Sequence, residues 1–163
     1  MPSQFDGANL TAEEVASEQL AGRERAQRIV VGVDGSFGSS TAVTWAAAQA
    51  RERGAVLDLV AVWEELAARP PGAAADGHLA VARERLERAV QALARHRELP
   101  ERVISAPVQG SPGEQLVARA EGASLLVLGT TGISSPEIPG GIGLYCLRHS
   151  TTPVVFVPLP PEP

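Results

Sequence analysis

Lysine is absent from this chain, and all 14 of its basic residues are arginines. A Walker A nucleotide-binding loop needs a lysine on the phosphates, and Schiff-base catalysis needs an amine nucleophile. The sequence therefore excludes both of these function classes. The formal net charge of −5 also argues against nucleic acid as a partner, because lysine and arginine supply the attraction to a phosphate backbone.

Cysteine is almost as scarce, since Cys146 is the single thiol in 163 residues. One thiol cannot form an intramolecular disulfide or hold a zinc ion by itself. Its neighbours are mostly apolar, which predicts a buried and unreactive thiol. The three histidines lack metal-ligand spacing, and no nucleophile elbow or catalytic triad is visible. We therefore expect neither a metal site nor catalytic residues.

Long apolar runs are missing too. No run approaches the roughly 20 residues that a membrane-spanning helix needs. Residues 1–6 have neither the basic start nor the apolar stretch of a signal peptide. We predict a cytoplasmic protein with no membrane partner.

Five apolar segments alternate with helical patterns after residue 27, which predicts an α/β fold with a parallel, doubly wound sheet and helices on both faces. Asp58 interrupts the second strand, so we expect one side of that strand to reach water. The predicted strands cover 28–34, 55–63, 102–108, 123–128 and 153–157, and the predicted helices cover 39–53, 78–97, 112–122 and 140–149.

The two ends of the chain differ from this central domain of residues 28–157. Residues 1–27 predict a flexible N-terminal extension, either partly helical behind a capping box at Thr11–Glu14 or a disordered tail. Residues 158–163 form a proline-rich tail.

A candidate ligand site lies at the carboxyl ends of the predicted strands, where open parallel sheets bind ligands if the strand order reverses there. Asp34 and the segment from Gly129 to Gly132 meet at this edge if the first strand lies beside the fourth. The two glycines allow backbone N–H groups to approach an anion, and the helix near Gly140 adds its positive end. Two plainer alternatives stay open, a connecting turn at the glycines and a turn-forming role for Asp34.

Several segments, in the right order, resemble the universal stress protein (UspA-like) family. The similar segments are Ile-Val-Val-Gly-Val-Asp-Gly-Ser at 29–36, Gly-Ser-Pro at 110–112, Leu-Leu-Val-Leu-Gly at 125–129, Leu-Arg-His at 147–149 and Pro-Val-Val at 153–155. The resemblance covers about residues 28–157 and implies a five-stranded parallel sheet in the order 3-2-1-4-5.

The resemblance also implies site residues. Nucleotide-binding members hold ATP with an Asp after strand 1, a Val at the end of strand 2 and a G-x2-G-x9-G-(S/T) motif after strand 4. In this sequence seven residues, not nine, separate the second and third glycines, and a glycine occupies the hydroxyl position. The matching positions are Asp34, Val62, Gly129, Gly132, Gly140 and Gly141.

These departures imply weak or absent ATP binding, because a hydrogen bond to a charged group contributes about 1.5–3 kcal/mol. We expect no obligatory cofactor, although ATP or AMP could bind. The resemblance implies a non-enzymatic stress-response module that forms a homodimer through the apolar edge strand Val154–Val157.

Two other function classes stay open. One is an adenine-nucleotide sensor or slow ATPase that uses the same pocket. The other is an unrelated doubly wound enzyme, although neither a flavin phosphate loop nor a nucleophile is visible in the sequence.

Overall fold

The structure, a computed structural model, describes residues 11–65, 77–130 and 141–161. Strands and helices alternate along these residues as the apolar pattern predicts, and the elements of the central domain begin and end within two residues of the predicted bounds. In chain order they are α1 (Ala12–Ala26), β1 (Arg28–Gly32), α2 (Phe37–Arg53), β2 (Val56–Trp63), α3 (Gly77–Arg95), β3 (Val103–Gln109), α4 (Pro112–Ala120), β4 (Leu125–Gly129), α5 (Gly141–His149) and β5 (Val154–Val157).

The five strands form one parallel sheet in the order β3-β2-β1-β4-β5. This confirms the predicted fold class and strand order. Val31 at the middle of the sheet pairs with Leu59 of β2 on one side and Val127 of β4 on the other. The chain adds β2 and β3 on one side of β1 and then returns to add β4 and β5 on the other side. The carboxyl ends of β1 and β4 therefore form the point where strand order reverses.

Helices cover both faces of the sheet because the central strands bury side chains in both directions. On one face, α2 and α3 enclose a core that includes Ile29, Val31 and Leu86. On the other face, α4 and α5 enclose a core that includes Val30 and Cys146. The α2 surface toward the sheet is mostly alanine, and these small side chains let the helix lie close to the strands.

Helix α1 precedes the first strand in the chain, and it begins at the predicted capping box. The Glu14 amide donates to the Thr11 hydroxyl at 3.2 Å, and the Thr11 amide donates to the Glu14 carboxylate at 2.7 Å. The bond from the Thr11 amide is the main cause that lowers the pKa of Glu14. Every described side chain of this helix is exposed, including Leu20 at 60%. Among the described residues, no helix has the length and apolar character needed to cross a membrane.

Asp58 in β2 is completely buried, so the expectation that this side of the strand reaches water is wrong. Arg119 of α4 donates from Nε and Nη2 to the two carboxylate oxygens at 2.8 and 3.1 Å. Arg28 of β1 approaches the same carboxylate at 3.4 Å and donates to the carbonyl of Arg119 at 2.9 Å. A carboxylate can be buried here because these cations neutralise it and occupy both of its oxygens.

Replacing the carboxylate by Asp58→Ala should lower the free energy of unfolding by about 3 kcal/mol, because it leaves two guanidinium groups near the core without their counter-charge. We choose the lower end of the usual range since the Arg28 and Arg119 side chains keep 20% and 33% of their exposure. Urea denaturation measures this change.

The matched control is Arg88→Ala, which removes an exposed ion pair with Glu84 and should cost less than about 1 kcal/mol. Equal losses in the two variants would contradict the structural role of the Asp58 cluster.

Candidate functional site

The turn between β1 and α2 carries the acidic candidate, Asp34. Its Oδ1 atom accepts a hydrogen bond from the Ser36 amide at 2.8 Å, while Gly35 has a left-handed backbone conformation with φ 81°. Asp34 therefore forms the turn, as one of the two alternatives predicted. No described residue donates to its Oδ2 atom, so the turn role leaves an acceptor available for a ligand.

Hydrogen bonds from neighbouring elements hold this turn in place. The Val33 amide donates to the Val60 carbonyl of β2 at 2.8 Å. The buried Ser39 side chain accepts from the Asp34 amide at 3.2 Å and donates to the Gly32 carbonyl at 3.4 Å. Ser36 caps α2 by accepting from the Ser39 amide at 3.1 Å. Asp34 therefore stands on a turn that is tied to both β2 and α2.

A groove between α2 and α3, which we call the α2–α3 groove, opens from this turn. Its volume is about 740 Å³, which lies within the size range of small-molecule sites. Asp34, Gly35 and Ser36 form one end. Its sides include apolar residues such as Val43, Val81 and Ala89, together with hydroxyl and charged groups from both helices. The arrangement can take a small molecule that has both polar and apolar parts.

Of the other candidates that the structure describes, Val62, Gly129 and Gly141 do not line this groove. Val62 is half-buried in β2, pairs in register with Val108 and packs on the core beneath α4 and α5. Gly141 is the first residue of α5, and a Cβ atom there would meet nothing within 4 Å. Gly132 and Gly140 lie outside the residues that the structure describes.

Gly129 at the end of β4 has a structural reason to be glycine. A Cβ atom at this position would lie 2.5 Å from the carbonyl carbon of Gly38 and 2.6 Å from its oxygen. Backbone atoms cannot move aside as a flexible side chain can, so only glycine fits. The contact joins the end of β4 to the first turn of α2, independently of any ligand.

Arg85 of α3 is a residue of this region that the sequence analysis missed. The side chain is half-buried, and its Nε and Cδ atoms lie 3.0 and 3.3 Å from the position that a Cβ atom would take on Gly35. Arg83, Glu84, Glu87 and Arg88 surround it in the sequence, a pattern that is typical of a solvated helix face. The helical spacing indicates partial burial of Arg85, because it follows the buried Ala82 by three positions and lies on the border of the apolar stripe.

Cys146 is fully buried, in agreement with the prediction of an unreactive thiol. Burial raises its pKa to about 11, so the thiolate that would act as a nucleophile or metal ligand is disfavoured at neutral pH. His149 contacts the ring of Tyr145, with centroids 4.2 Å apart. Within the described parts of the chain, no three acidic, histidine or cysteine residues form a group that could hold a metal ion.

The sequence pattern of the universal stress protein family matches residues 25–158. The chain belongs to the universal stress protein family. A search of curated protein sequences returned no match.

Solved structures of universal stress proteins agree with this assignment. One, in complex with cAMP, is 27% identical, has a TM-score of 0.64, and the alignment covers 81% of this chain and 96% of that one. UspA from Lactobacillus plantarum is 22% identical with a TM-score of 0.64, over 82% and 98% of the two chains. A protein from Archaeoglobus fulgidus in complex with dAMP is 23% identical with a TM-score of 0.62, over 80% and 96%. The last two likenesses show the shared fold.

The close contact of Gly129 with Gly38 can be tested by substitution. Gly129→Ala should lower the free energy of unfolding by about 1–3 kcal/mol, because its new methyl group collides with the backbone of Gly38. Chemical denaturation without ligand measures the effect.

Gly77→Ala is the matched control, since a Cβ atom there meets nothing within 4 Å, and its stability should stay within about 0.5 kcal/mol of the unmodified protein. A Gly129→Ala variant as stable as this control would show that the contact imposes no constraint.

Proposed function

We propose that this universal stress protein is a non-enzymatic stress-response module whose pocket binds an adenosine monophosphate-class nucleotide and binds ATP weakly or not at all. The observation that carries the proposal is the position of Asp34. It lies at the carboxyl end of β1, at the reversal point of the sheet and at the mouth of a cavity of about 740 Å³.

The chemistry of Asp34 suits the neutral part of a nucleotide. A carboxylate accepts hydrogen bonds from ribose hydroxyls or from an adenine amino group. The structure leaves its Oδ2 atom without a described donor, as the turn uses Oδ1. The relative that is 27% identical was solved with cAMP, an adenine nucleotide with a single phosphate, and this supports a ligand of the same class.

The sequence between β4 and α5, where the family motif contacts the phosphates, is poorly equipped for a triphosphate. The sequence contains no basic residue between Arg119 and Arg148. Gly141 stands where the family motif has a hydroxyl group. The positive end of α5 remains, but a helix end alone is a weak counter-charge for several phosphates. Phosphoryl transfer needs cations that neutralise the developing charge, so these losses favour the non-enzymatic function over the sensor or slow ATPase alternative.

We further propose that the protein is a homodimer paired through β5. This strand is at the edge of the sheet, and Val154, Val155 and Phe156 are half-buried rather than fully covered. An open apolar edge promotes association with a second strand, and a two-fold axis would pair β5 with its own copy. Pro153 and Pro158 limit the pairing to this short segment.

Calorimetric titration tests the nucleotide proposal. The unmodified protein should bind AMP more tightly than ATP. Gly141→Ser should strengthen ATP binding by about tenfold, because one added hydroxyl donor to a phosphate contributes about 1.5 kcal/mol.

Gly141→Ala is the matched control, as it adds the Cβ atom without the hydroxyl and should leave ATP affinity unchanged. Micromolar ATP affinity in the unmodified protein, tighter than for AMP, would contradict the proposal.

Sedimentation equilibrium tests the dimer. At micromolar concentration we expect a mass twice that of the 17.0 kDa chain, because the apolar edge of β5 is then covered. A mass of one chain at that concentration would refute pairing through β5.

A further inference from the structure

We propose that the proline-rich segment after β5 of one copy packs against helix α5 of a second copy, so that the dimer interface extends beyond the paired β5 strands. The segment contributes Leu159, and the helix contributes Leu144 and Leu147, which we call the outer α5 face. This inference rests on the proposed function, because it needs the homodimer through β5 and names a further contact of that dimer.

The outer α5 face is apolar, and the described residues leave it exposed. Cys146 is buried toward the sheet, and Tyr145 faces α4, because one atom of its ring lies 2.7 Å from the place of a Cβ atom on Gly113. Leu144 and Leu147 lie on the remaining side of the helix, where 40% and 58% of their surfaces are exposed. Neighbouring apolar side chains that remain exposed are typical of an interaction surface.

This face is continuous with the apolar edge of β5. Helix α4 contacts β1, β2 and β4, so the side of α5 that points away from α4 lies above the edge strand. Val154 and Phe156 of β5 pack on the core beneath the same two helices, and both are only half-buried. A second copy that pairs with β5 therefore also comes beside Leu144 and Leu147.

The paired β5 strands alone are too short to hold a stable dimer. Val154–Val157 extends over about 13 Å, and it lies between Pro153 and Pro158, which have no N–H group to donate to a partner strand. Stable protein interfaces bury about 800 Å² on each partner. The dimer therefore needs a further contact, and the exposed apolar surface beside the strand can supply it.

Two-fold symmetry brings the end of one β5 strand close to the outer α5 face of the other copy. An axis perpendicular to the sheet makes the two β5 strands antiparallel and keeps both α5 helices on the same side of the joined sheet. The carboxyl end of one β5 then lies beside the amino end of the other. Helix α5 also ends there, because residues 150–153 alone connect His149 to Val154. The segment that follows β5 thus approaches Leu147 of the second copy.

The composition of this segment suits docking to another copy. Residues 158–161 form no helix or strand and are all exposed, and Leu159 exposes 37% of its surface. Pro158, Pro160 and Pro161 restrict the backbone to extended conformations, so little conformational entropy remains to be lost on binding. Leu147 of the same chain lies near the amino end of β5, and the segment would have to reverse its direction to reach it, which the prolines oppose.

Cysteine cross-linking tests the contact. The double variant Leu147→Cys/Leu159→Cys places two thiols on the surface, while the native Cys146 is buried and its pKa is raised to about 11, which disfavours its reaction. A short bis-maleimide reagent should link the double variant into a species of twice the chain mass. Each single variant should stay unlinked, since the two-fold axis places its two thiols at opposite ends of the interface.

Leu99 provides the matched control. It exposes a similar fraction of its surface, 38%, but it precedes β3 at the opposite edge of the sheet, so Leu99→Cys/Leu159→Cys should remain a single chain. Sedimentation equilibrium adds a second measurement. Leu159→Asp should raise the dissociation constant of the dimer about tenfold, because a charge replaces an apolar side chain at the contact, whereas Leu99→Asp should leave it unchanged. Circular dichroism verifies that each variant is folded.

Three outcomes would overturn the inference. The unmodified protein could be a dimer while the Leu147→Cys/Leu159→Cys variant stays unlinked or becomes linked within one chain, and the Leu159→Asp dimer could be as tight as that of Leu99→Asp. Both results would leave pairing through β5 standing. If the unmodified protein sediments as a single chain, the proposed dimer fails and this inference fails with it.

Discussion

The close contact between the end of β4 and the first turn of α2 is the constraint on which the candidate site depends. Gly129 lies so close to the backbone of Gly38 that a Cβ atom added to it would be 2.5 Å from the Gly38 carbonyl carbon. Helix α2 can therefore begin only a short distance from the sheet. The turn that carries Asp34 spans that distance, and Ser36 and Ser39 fix it by hydrogen bonds. The glycine thus acts on the site by positioning α2, whether or not its amide contacts a ligand.

The amino end of the sheet contributes to stability, and the carboxyl end carries the candidate binding site. At the amino end, Arg28 and Arg119 enclose the buried Asp58 and tie β1, β2 and α4 together. All oxygens of that carboxylate are occupied, so it has no capacity left for a ligand. At the carboxyl end, Asp34 uses one oxygen for its turn and keeps the other. The buried strand acid Asp58 and the turn acid Asp34 therefore differ in whether an oxygen stays available, because different elements pack around them.

Sequence alone predicted the strands and helices because buried parallel strands are short apolar runs and helices repeat every 3.6 residues. The strand order required the family resemblance, since spacing does not state which strands pair. Asp58 was misjudged because its partners are 30 and 61 residues away in the chain. Arg85 was missed for a related reason. Periodicity gives the face of α3 on which it lies, but only the packed structure shows that Gly35 lies opposite.

Charge balance at this edge favours the single phosphate of the proposed ligand over a triphosphate. A triphosphate carries more negative charge than a monophosphate, and Asp34 adds a further negative charge nearby. In a family member with hydroxyl groups after β4, those donors distribute hydrogen bonds over several phosphate oxygens. Here Gly141 offers no side-chain donor, so each added phosphate would lose its water without gaining an equivalent partner. The selectivity that we propose for a short phosphate then follows from desolvation and needs no steric barrier.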